Sequence, residues 1–329
     1  MANIPLGVTF GSLGVLGPKA ATTIAKTAQD LGYKSFWTVE ANGTDAISLL
    51  GAVSYSAPKL DLATGIIPVQ IRTPTLTAMT AATLQALNPD VDVLLGIGVS
   101  APGILMQHGK QSTNKPIGMM REYVALLREC LTGEPVTFQG DYFQAKRFRL
   151  GVRLGERKPK IIMAALNPQM LKLAGEIADG VLLNYLPASH VATSIEQIKK
   201  GGSAKVYAYV HASVGDFELS AKSARKDLFN YAMADGYARM FSQAGFSEEV
   251  TELRERHKKK DREGALAAIS PRMIQAIDFI GNETEVTEFI KTYTNAGVER
   301  PVLMPLPWGE DRRVAADRTM RAAIKAVSG

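Results

Sequence analysis

The sequence predicts an α/β protein, a (β/α)8 TIM barrel with a helical insertion between strands seven and eight. Three observations predict it. Short β-rich apolar segments alternate with longer helical patterns, the signature of βα units on a parallel sheet. About eight such strands follow one another in one continuous chain, which suits a closed barrel better than an open doubly wound sheet. Segments such as 91–97 are nearly continuous apolar runs, as burial on both faces requires. The 329 residues, 46% hydrophobic and 21% charged, are expected to form a single domain over 1–329, because barrels routinely reach that size in one unit.

Residues 4–10 read as the first strand, and 18–31 as an amphipathic helix ended by Gly32. A second strand over 35–39 precedes a helix over 45–56. The third strand, 62–67, leads to a helix over 73–87, with Pro74 in the tolerated first turn. The fourth strand (91–97) precedes a helix over 116–131, and 136–143 reads as a small hairpin turning near Gly140. Strand five (160–164) feeds a helix over 168–178, and strand six (181–184) feeds one over 188–199. Strand seven covers 206–211. From 218 to about 264 the pattern is helical throughout, with Leu228, Tyr231, Tyr237 and Phe241 as its apolar, core-facing side. The eighth strand appears only at 301–304, followed by a last helix over 312–327. The intervening region, roughly 215–295, is expected as a helical insertion over one end of the barrel.

Composition excludes several classes. With one cysteine, Cys130, no disulfide can form within the chain, which fits a reducing compartment. Met1 to Pro5 show no basic stretch leading into an apolar one, and no apolar run approaches the roughly 20 residues that span a bilayer. A cytoplasmic protein with no membrane contact is expected. The formal charge is +6, but the densest basic run, 254–262, is interleaved with Glu255 and Asp261 and followed by Glu263. That is a solvated helix face rather than a nucleic-acid surface. The excess positive charge suits an anionic small ligand.

In such barrels chemistry gathers where strands end and βα loops begin. Strand one ends in Thr9-Phe10-Gly11-Ser12, strand two in Val39-Glu40-Ala41-Asn42, and strand three in Thr64-Gly65-Ile66-Ile67-Pro68. Strand four ends in Gly96-Ile97-Gly98-Val99-Ser100, strand five in Ala164-Ala165-Leu166-Asn167-Pro168, and strand six in Asn184-Tyr185. Asn167 is a good N-cap and Pro168 a good first helical residue. The helix they open aims its free N–H groups and positive dipole end at the barrel mouth, where a phosphate can sit. Gly96-Ile97-Gly98 begins like a dinucleotide fingerprint, but Ala101 and Pro102 break what should follow; these glycines are better suited to close ligand approach. Glu40 is a candidate proton carrier in the cleft, and His108 a candidate to reach substrate. His190, His211 and His257 lack metal-ligand spacing, and no metal is expected. No Gly-x-Ser-x-Gly elbow occurs, and Cys130 lies within a helix as a packed residue.

The stretches Trp37-Thr38-Val39-Glu40-Ala41-Asn42-Gly43-Thr44-Asp45, Thr64-Gly65-Ile66 and Arg72 to Met79 resemble the N-terminal half of luciferase-like oxidoreductases. So do Leu95 to Pro102 and Arg121-Glu122-Tyr123-Val124. Met163 to Pro168 and Ala174-Gly175-Glu176-Ile177-Ala178-Asp179-Gly180 are similar to the branch that uses a deazaflavin. The likeness covers about the first two thirds of the chain and returns around 301–308. It implies hydride transfer between coenzyme F420 and a small organic substrate, with the ring in the barrel mouth and a homodimer as the assembly. The implied coenzyme surface is Gly11, Glu40, Thr64, Gly65, Ile66, Gly98, Val99, Ser100, Ala164, Ala165, Leu166, Asn167 and Asn184. Its phosphate would lie against Ala165, Leu166 and Asn167, with Asn184 near the phosphate end, and Gly65-Ile66 would be a cis peptide behind the ring. Members that oxidise sugar phosphates carry an Asp-His pair where this chain has Glu40-Ala41, so a sugar-phosphate dehydrogenase is not expected. The alternatives are an FMN-dependent monooxygenase of the same family and, from another class, a barrel that binds a phosphate ligand without redox chemistry.

Overall fold

The computed structural model describes residues 4–309 and 311–327. Met1 to Asn3, on which the expected absence of a leader partly rests, lie outside the described residues. Eight parallel strands close on themselves: β1 (Gly7–Thr9), β2 (Ser35–Thr38), β3 (Asp61–Thr64), β5 (Val93–Gly98), β8 (Lys160–Ala164), β9 (Gly180–Leu183), β10 (Lys205–Val214) and β12 (Arg300–Pro305). Closure comes where β12 pairs with both β1 and β10. The helices α1 (Ala20–Leu31), α2 (Ala46–Ser56), α3 (Pro74–Leu87), α5 (Pro116–Cys130), α6 (Pro168–Ile177), α7 (Ala188–Lys199), α13 (Glu283–Asn295) and α14 (Arg312–Ile324) lie outside the strands.

Local chemistry sets these helix ends. The Asp45 carboxylate accepts the Ser48 N–H at 2.6 Å ahead of α2, and Thr73 Oγ1 accepts the Leu76 N–H at 3.3 Å ahead of α3. Gly32 ends α1 at φ +91°, a conformation costly for other residues.

Two apolar cores result from the period-two geometry of the strands. Phe36 and Trp37 are adjacent and both fully buried, Phe36 in the layer between strands and helices, Trp37 inside the barrel. With Trp37 inside are Leu94, Ile162, Leu182, Tyr207, Tyr209 and Val302. The N-terminal ends of the strands carry ion pairs, Lys34 to Asp61 at 3.2 Å and Arg157 and Lys160 to Asp92 at 2.6 and 2.5 Å. Among the described residues the barrel interior is therefore largely filled below, where a recess of about 20 Å³ remains, and the larger opening is at its C-terminal end.

The structure departs from the sequence reading at five places. The third strand does not run through 62–67: it stops at Thr64, and the chain resumes as β4 (Ile67–Pro68) beside β5. A short helix α4 (Pro102–Gln107), opened by Pro102, follows β5 unforeseen. The hairpin is longer, β6 (Val136–Gln139) with β7 (Gln144–Phe148). The segment from 218 to 264 is not one helix but α8 (Phe217–Ala232), α9 (Asp235–Phe241), a π-type turn (Ser242–Phe246), α10 (Ser247–Lys258) and α11 (Arg262–Ala267). Left-handed residues, Gly245 at φ +97° and Lys260 at φ +61°, mark two of its breaks. Finally, after α12 (Pro271–Ile277), a strand β11 (Asp278–Gly281) interrupts the expected helical insertion and pairs with the C-terminal half of β10, setting Asp278 beside His211.

Candidate active site

At the open end lies a cavity of about 410 Å³, within the usual range for small-molecule sites. Gly11 and Ser12 after β1, and Val39, Glu40 and Ala41 after β2, line one side. Gly65 and Ile66 follow from β3, and Val99, Ser100 and Ala101 from β5. Asn184 and Tyr185 close the far side, with Met304, Leu306 and Trp308 from the end of β12. Tyr209 also lines it, and α8 and α9 add Asp227, Tyr231 and Tyr237.

The Gly65–Ile66 peptide is cis. Both of its neighbouring carbonyls are engaged: Tyr209 donates to the Gly65 oxygen at 3.0 Å, and the Glu40 N–H donates to the Ile66 oxygen at 3.2 Å. A side chain at Gly65 would collide with the Tyr209 hydroxyl at 1.9 Å, so the close approach requires glycine. Thr64 and Gly98 sit behind this wall. The Thr64 hydroxyl donates to the Gly96 oxygen at 2.8 Å, and a Cβ at Gly98 would press on Ile66 at 3.3 Å. The Ser100 N–H points at Gln70 Oε1 at 3.4 Å, while Gln70 Nε2 is buried without a partner.

Glu40 lines the cavity but is already paired. Arg72 grips its two oxygens at 2.7 and 2.9 Å and also reaches Asp45, and the Ala46 N–H donates to Glu40 at 3.3 Å. Its Glu40 hydrogen bond, against the cost of burial, holds the Arg72 guanidinium pKa above its ordinary value. His108, expected to reach substrate, is exposed at the end of α4 and outside the cavity lining; its Nε2 donates to the Ala41 carbonyl at 2.6 Å. With Gln107, which accepts from Asn42 at 2.7 Å, it braces the loop after β2.

The strand-five residues lie beyond the cavity lining. The Ala165 N–H is used by the Leu182 carbonyl at 3.3 Å, and Leu166 borders a separate recess between α6 and α7. Asn167 precedes Pro168 at the start of α6 as expected, but its side chain caps nothing. Its Nδ2 makes a 3.4 Å contact to the Gly236 carbonyl of α9, and its Oδ1 is buried without a partner.

Asn184 opens a network that sequence reasoning missed. Its Nδ2 donates to the Tyr237 hydroxyl at 3.2 Å, so its oxygen faces His211 Nε2 at 3.0 Å. The imidazole therefore carries its hydrogen on Nε2, and Nδ1 faces Asp278 Oδ1 at 3.0 Å. Burial lowers the His211 pKa to about 4 and raises that of Asp278. A neutral imidazole accepts from Asp278 when that carboxyl holds the proton it shares with the neighbouring Asp227. Asp227, beside Asp278, accepts from the Tyr185 hydroxyl at 2.7 Å. Burial, reinforced by the Asp278 charge, raises its pKa to about 7. The polar atoms of His211, Asp227 and Asp278 lie within 4.8 Å of one another. Such a trio has the density of a metal site, yet both ring nitrogens of His211 are engaged in hydrogen bonds, to Asn184 and Asp278. Tyr185, Tyr231 and Tyr237 pack around it, with ring centroids 3.7 Å apart for the first two and 4.9 Å for the last two.

Residues 8–300 match the model of the family described as luciferase-like monooxygenase. The chain belongs to the luciferase-like monooxygenase family. Among members of known name, it is 26% identical over 302 residues to 5,10-methylenetetrahydromethanopterin reductase of Archaeoglobus fulgidus, covering 88% of this chain and 90% of that protein. It is 33% identical over 193 residues to a putative coenzyme F420-dependent oxidoreductase of Mycobacterium tuberculosis, covering 55% of each. An F420-dependent secondary alcohol dehydrogenase, solved with an F420-acetone adduct, shares the fold at a TM-score of 0.79 and 20% identity, covering 99% of each chain.

Within this luciferase-like barrel, one signal could have revealed the missed residues. Tyr207, Tyr209 and His211 alternate along strand seven, which places all three on one face. Tyr231 and Tyr237 were read only as the core side of a helix, and distance in sequence hid Asp227 and Asp278 from His211.

The Glu40 and Arg72 side chains are only 10% and 15% exposed. Replacing Arg72 by Met strands a carboxylate at the cavity wall, and should cost about 2–4 kcal/mol in urea unfolding. The double change Arg72→Met with Glu40→Met should recover most of that loss. Equal costs for the single and double variants would show that the pair is not coupled.

Proposed function

We infer that this chain is an oxidoreductase that binds coenzyme F420 in the barrel mouth and passes a hydride between it and a small organic substrate. The observation that carries this reading is the cavity wall of Ile66 and Val99, held by the Gly65–Ile66 peptide and backed by Gly98. It is an apolar surface across the cavity from the tyrosines of α8 and α9, suited to the face of an aromatic ring. The names of the Archaeoglobus fulgidus and Mycobacterium tuberculosis relatives support hydride chemistry, the second of them naming the deazaflavin itself.

The rest of the chain fits such a group. Ile66, Val99 and Ser100 would hold the ring. Helical geometry leaves the N–H groups of Gln169 and Met170 outside the internal ladder of α6, as a phosphate requires. The under-satisfied Asn167 amide at the same helix start would gain partners from a polar tail, displacing its long contact to Gly236. The bound deazaflavin would supply the hydride chemistry. The protein's part is to orient the substrate, exclude water beneath the α8 and α9 tyrosines, and manage the accompanying proton. His108, turned toward Ala41, is a brace in this reading, and Glu40 a fixed anion that shapes the wall with Arg72.

A monooxygenase using FMN is the second reading, because the family is described as luciferase-like monooxygenase and a Baeyer-Villiger monooxygenase of the same fold was solved in complex with FMN. Fluorescence titration of the purified protein with oxidised F420 and, separately, with FMN tests both. Low-micromolar binding of F420 with weaker binding of FMN is the expected outcome. The reverse preference moves the protein to the monooxygenase reading, and binding of neither overturns the redox assignment in favour of a phosphate-ligand barrel.

A second copy of the chain is proposed to cover α2 and α3. Neither helix holds a charged residue, although 21% of the chain is charged. Tyr55, Leu76, Met79 and Leu87 stand 78, 43, 49 and 49% exposed there, an apolar patch of the kind that marks an interface. Sedimentation analysis should give a dimer for the native chain and a monomer for Met79→Glu with Leu87→Glu. A native monomer would rule the proposed dimer out.

A further inference from the structure

We propose that Asp227 is the acid–base residue of this site, exchanging a proton with the substrate, with Asp278 and His211 as the positioning residues that keep that proton available. The proposal rests on the oxidoreductase reading for its substrate. Its geometry stands independently of any coenzyme.

Asp227 lies on α8, outside the barrel strands, yet it lines the same cavity as Ile66 and Val99. The titratable groups set against it are tyrosines, a neutral histidine and a second carboxyl. Just after β9, Tyr185 donates to its Oδ2 at 2.7 Å. From β11, Asp278 is fully buried, and its Oδ2 has no hydrogen-bond partner. From β10, His211 is 1% exposed and kept neutral, so it supplies no counter-charge. Tyr231 of α8 and Tyr237 of α9 complete the surroundings. Among these neighbours there is no lysine or arginine to hold two carboxylates ionised. Like charges this close cannot both persist in a buried setting, so one proton resides on the pair.

Of the two carboxyls, only Asp227 opens to the cavity. Asp278 is anchored behind it by His211 Nδ1, which Asn184 fixes in turn through Nε2. This gives the division of roles. When a carbonyl substrate is reduced, a bound reduced deazaflavin would supply the hydride and its electron pair to the carbonyl carbon. The π pair moves to oxygen, and that oxygen takes the proton from Asp227, leaving a carboxylate. In the reverse direction a bound oxidised deazaflavin would supply the hydride acceptor; as the C=O bond forms, Asp227, starting as the carboxylate, takes the O–H proton. Tyr185 stabilises the resulting carboxylate through its hydroxyl. The second carboxyl raises the proton affinity of the first, so that the acid form persists near neutral pH where an isolated aspartate would be ionised.

The test begins without coenzyme. Infrared spectra of the purified protein across pH should show a protonated-carboxyl C=O band that disappears around pH 7. Asp227→Asn should remove that titrating band, Asp278→Asn should move its midpoint down, and Tyr185→Phe should retain it. A raised folded-state pKa means stability is present below the unfolded value and lost as pH rises through the folded one. Asp227→Asn escapes that loss, so its Tm should gain on the native protein as the pH rises from about 5 to about 8. On any carbonyl compound turned over with reduced F420, Asp227→Asn should lower kcat by about 10²- to 10⁴-fold, with KM little changed. No carboxyl band titrating above the ordinary aspartate range, a Tm difference flat with pH, or a stoichiometric divalent metal in the purified protein would each overturn the assignment. F420 failing to bind while the band titrates would instead retire the oxidoreductase reading and leave the acid pair standing.

Discussion

The hydroxyl of Tyr209 donates to the Gly65 carbonyl at 3.0 Å, and the organisation of the molecule depends on that contact. Below it, Trp37, Tyr207 and Tyr209 fill the barrel interior, with ring centroids 5.5 Å apart for Trp37 and Tyr207 and 6.0 Å for Trp37 and Tyr209. Above it, the chain that leaves β3 is held open as a wall, and the cavity begins. A smaller residue at 209 would open a void in the interior and release the wall together. A side chain at 65 could not be accommodated at all, since its Cβ would overlap the tyrosine oxygen. Packing and site geometry are therefore set by the same pair of residues.

Electrostatics divides the mouth into two parts. On the β2 side, Glu40 and Asp45 share Arg72, and the charges are matched. On the β9 and β10 side, Asp227 and Asp278 lie among tyrosines beside a neutral histidine, and the charges are unmatched. Matched charges serve as structure, because Arg72 holds both carboxylates in place. Unmatched ones are where a proton can be taken up or released at little cost. This asymmetry puts the chemistry on the side formed by α8 and β11, away from the residues that the strand ends alone had suggested.

The barrel was legible because its signal is periodic and local: the alternation of strand and helix needs no knowledge of which strands meet. The eight barrel strands fall at or near the segments expected for them, and the resemblance of Trp37 to Asp45 and of Leu95 to Pro102 pointed to the right family. What escaped is what tertiary pairing decides. β11 carries only four residues, too few for a pattern, and gains its meaning from lying beside His211. The helical stretch from 218 looked uniform because Gly245 and Lys260, which break it, carry their effect in backbone dihedrals. Glu40 is a candidate proton carrier by its place at a strand end, but nothing in the sequence shows that Arg72, 32 positions away, occupies both its oxygens. Nor does the sequence show that His108 is turned to the Ala41 carbonyl.

The measurement that tests the central reading most directly is a crystal structure of the protein with oxidised F420. The account predicts the deazaflavin ring against Ile66 and Val99, within reach of the Asp227 side of the cavity, and its phosphate at the start of α6 with the Asn167–Gly236 contact displaced. A ring bound elsewhere on the molecule, or an empty mouth at saturating coenzyme, would contradict it.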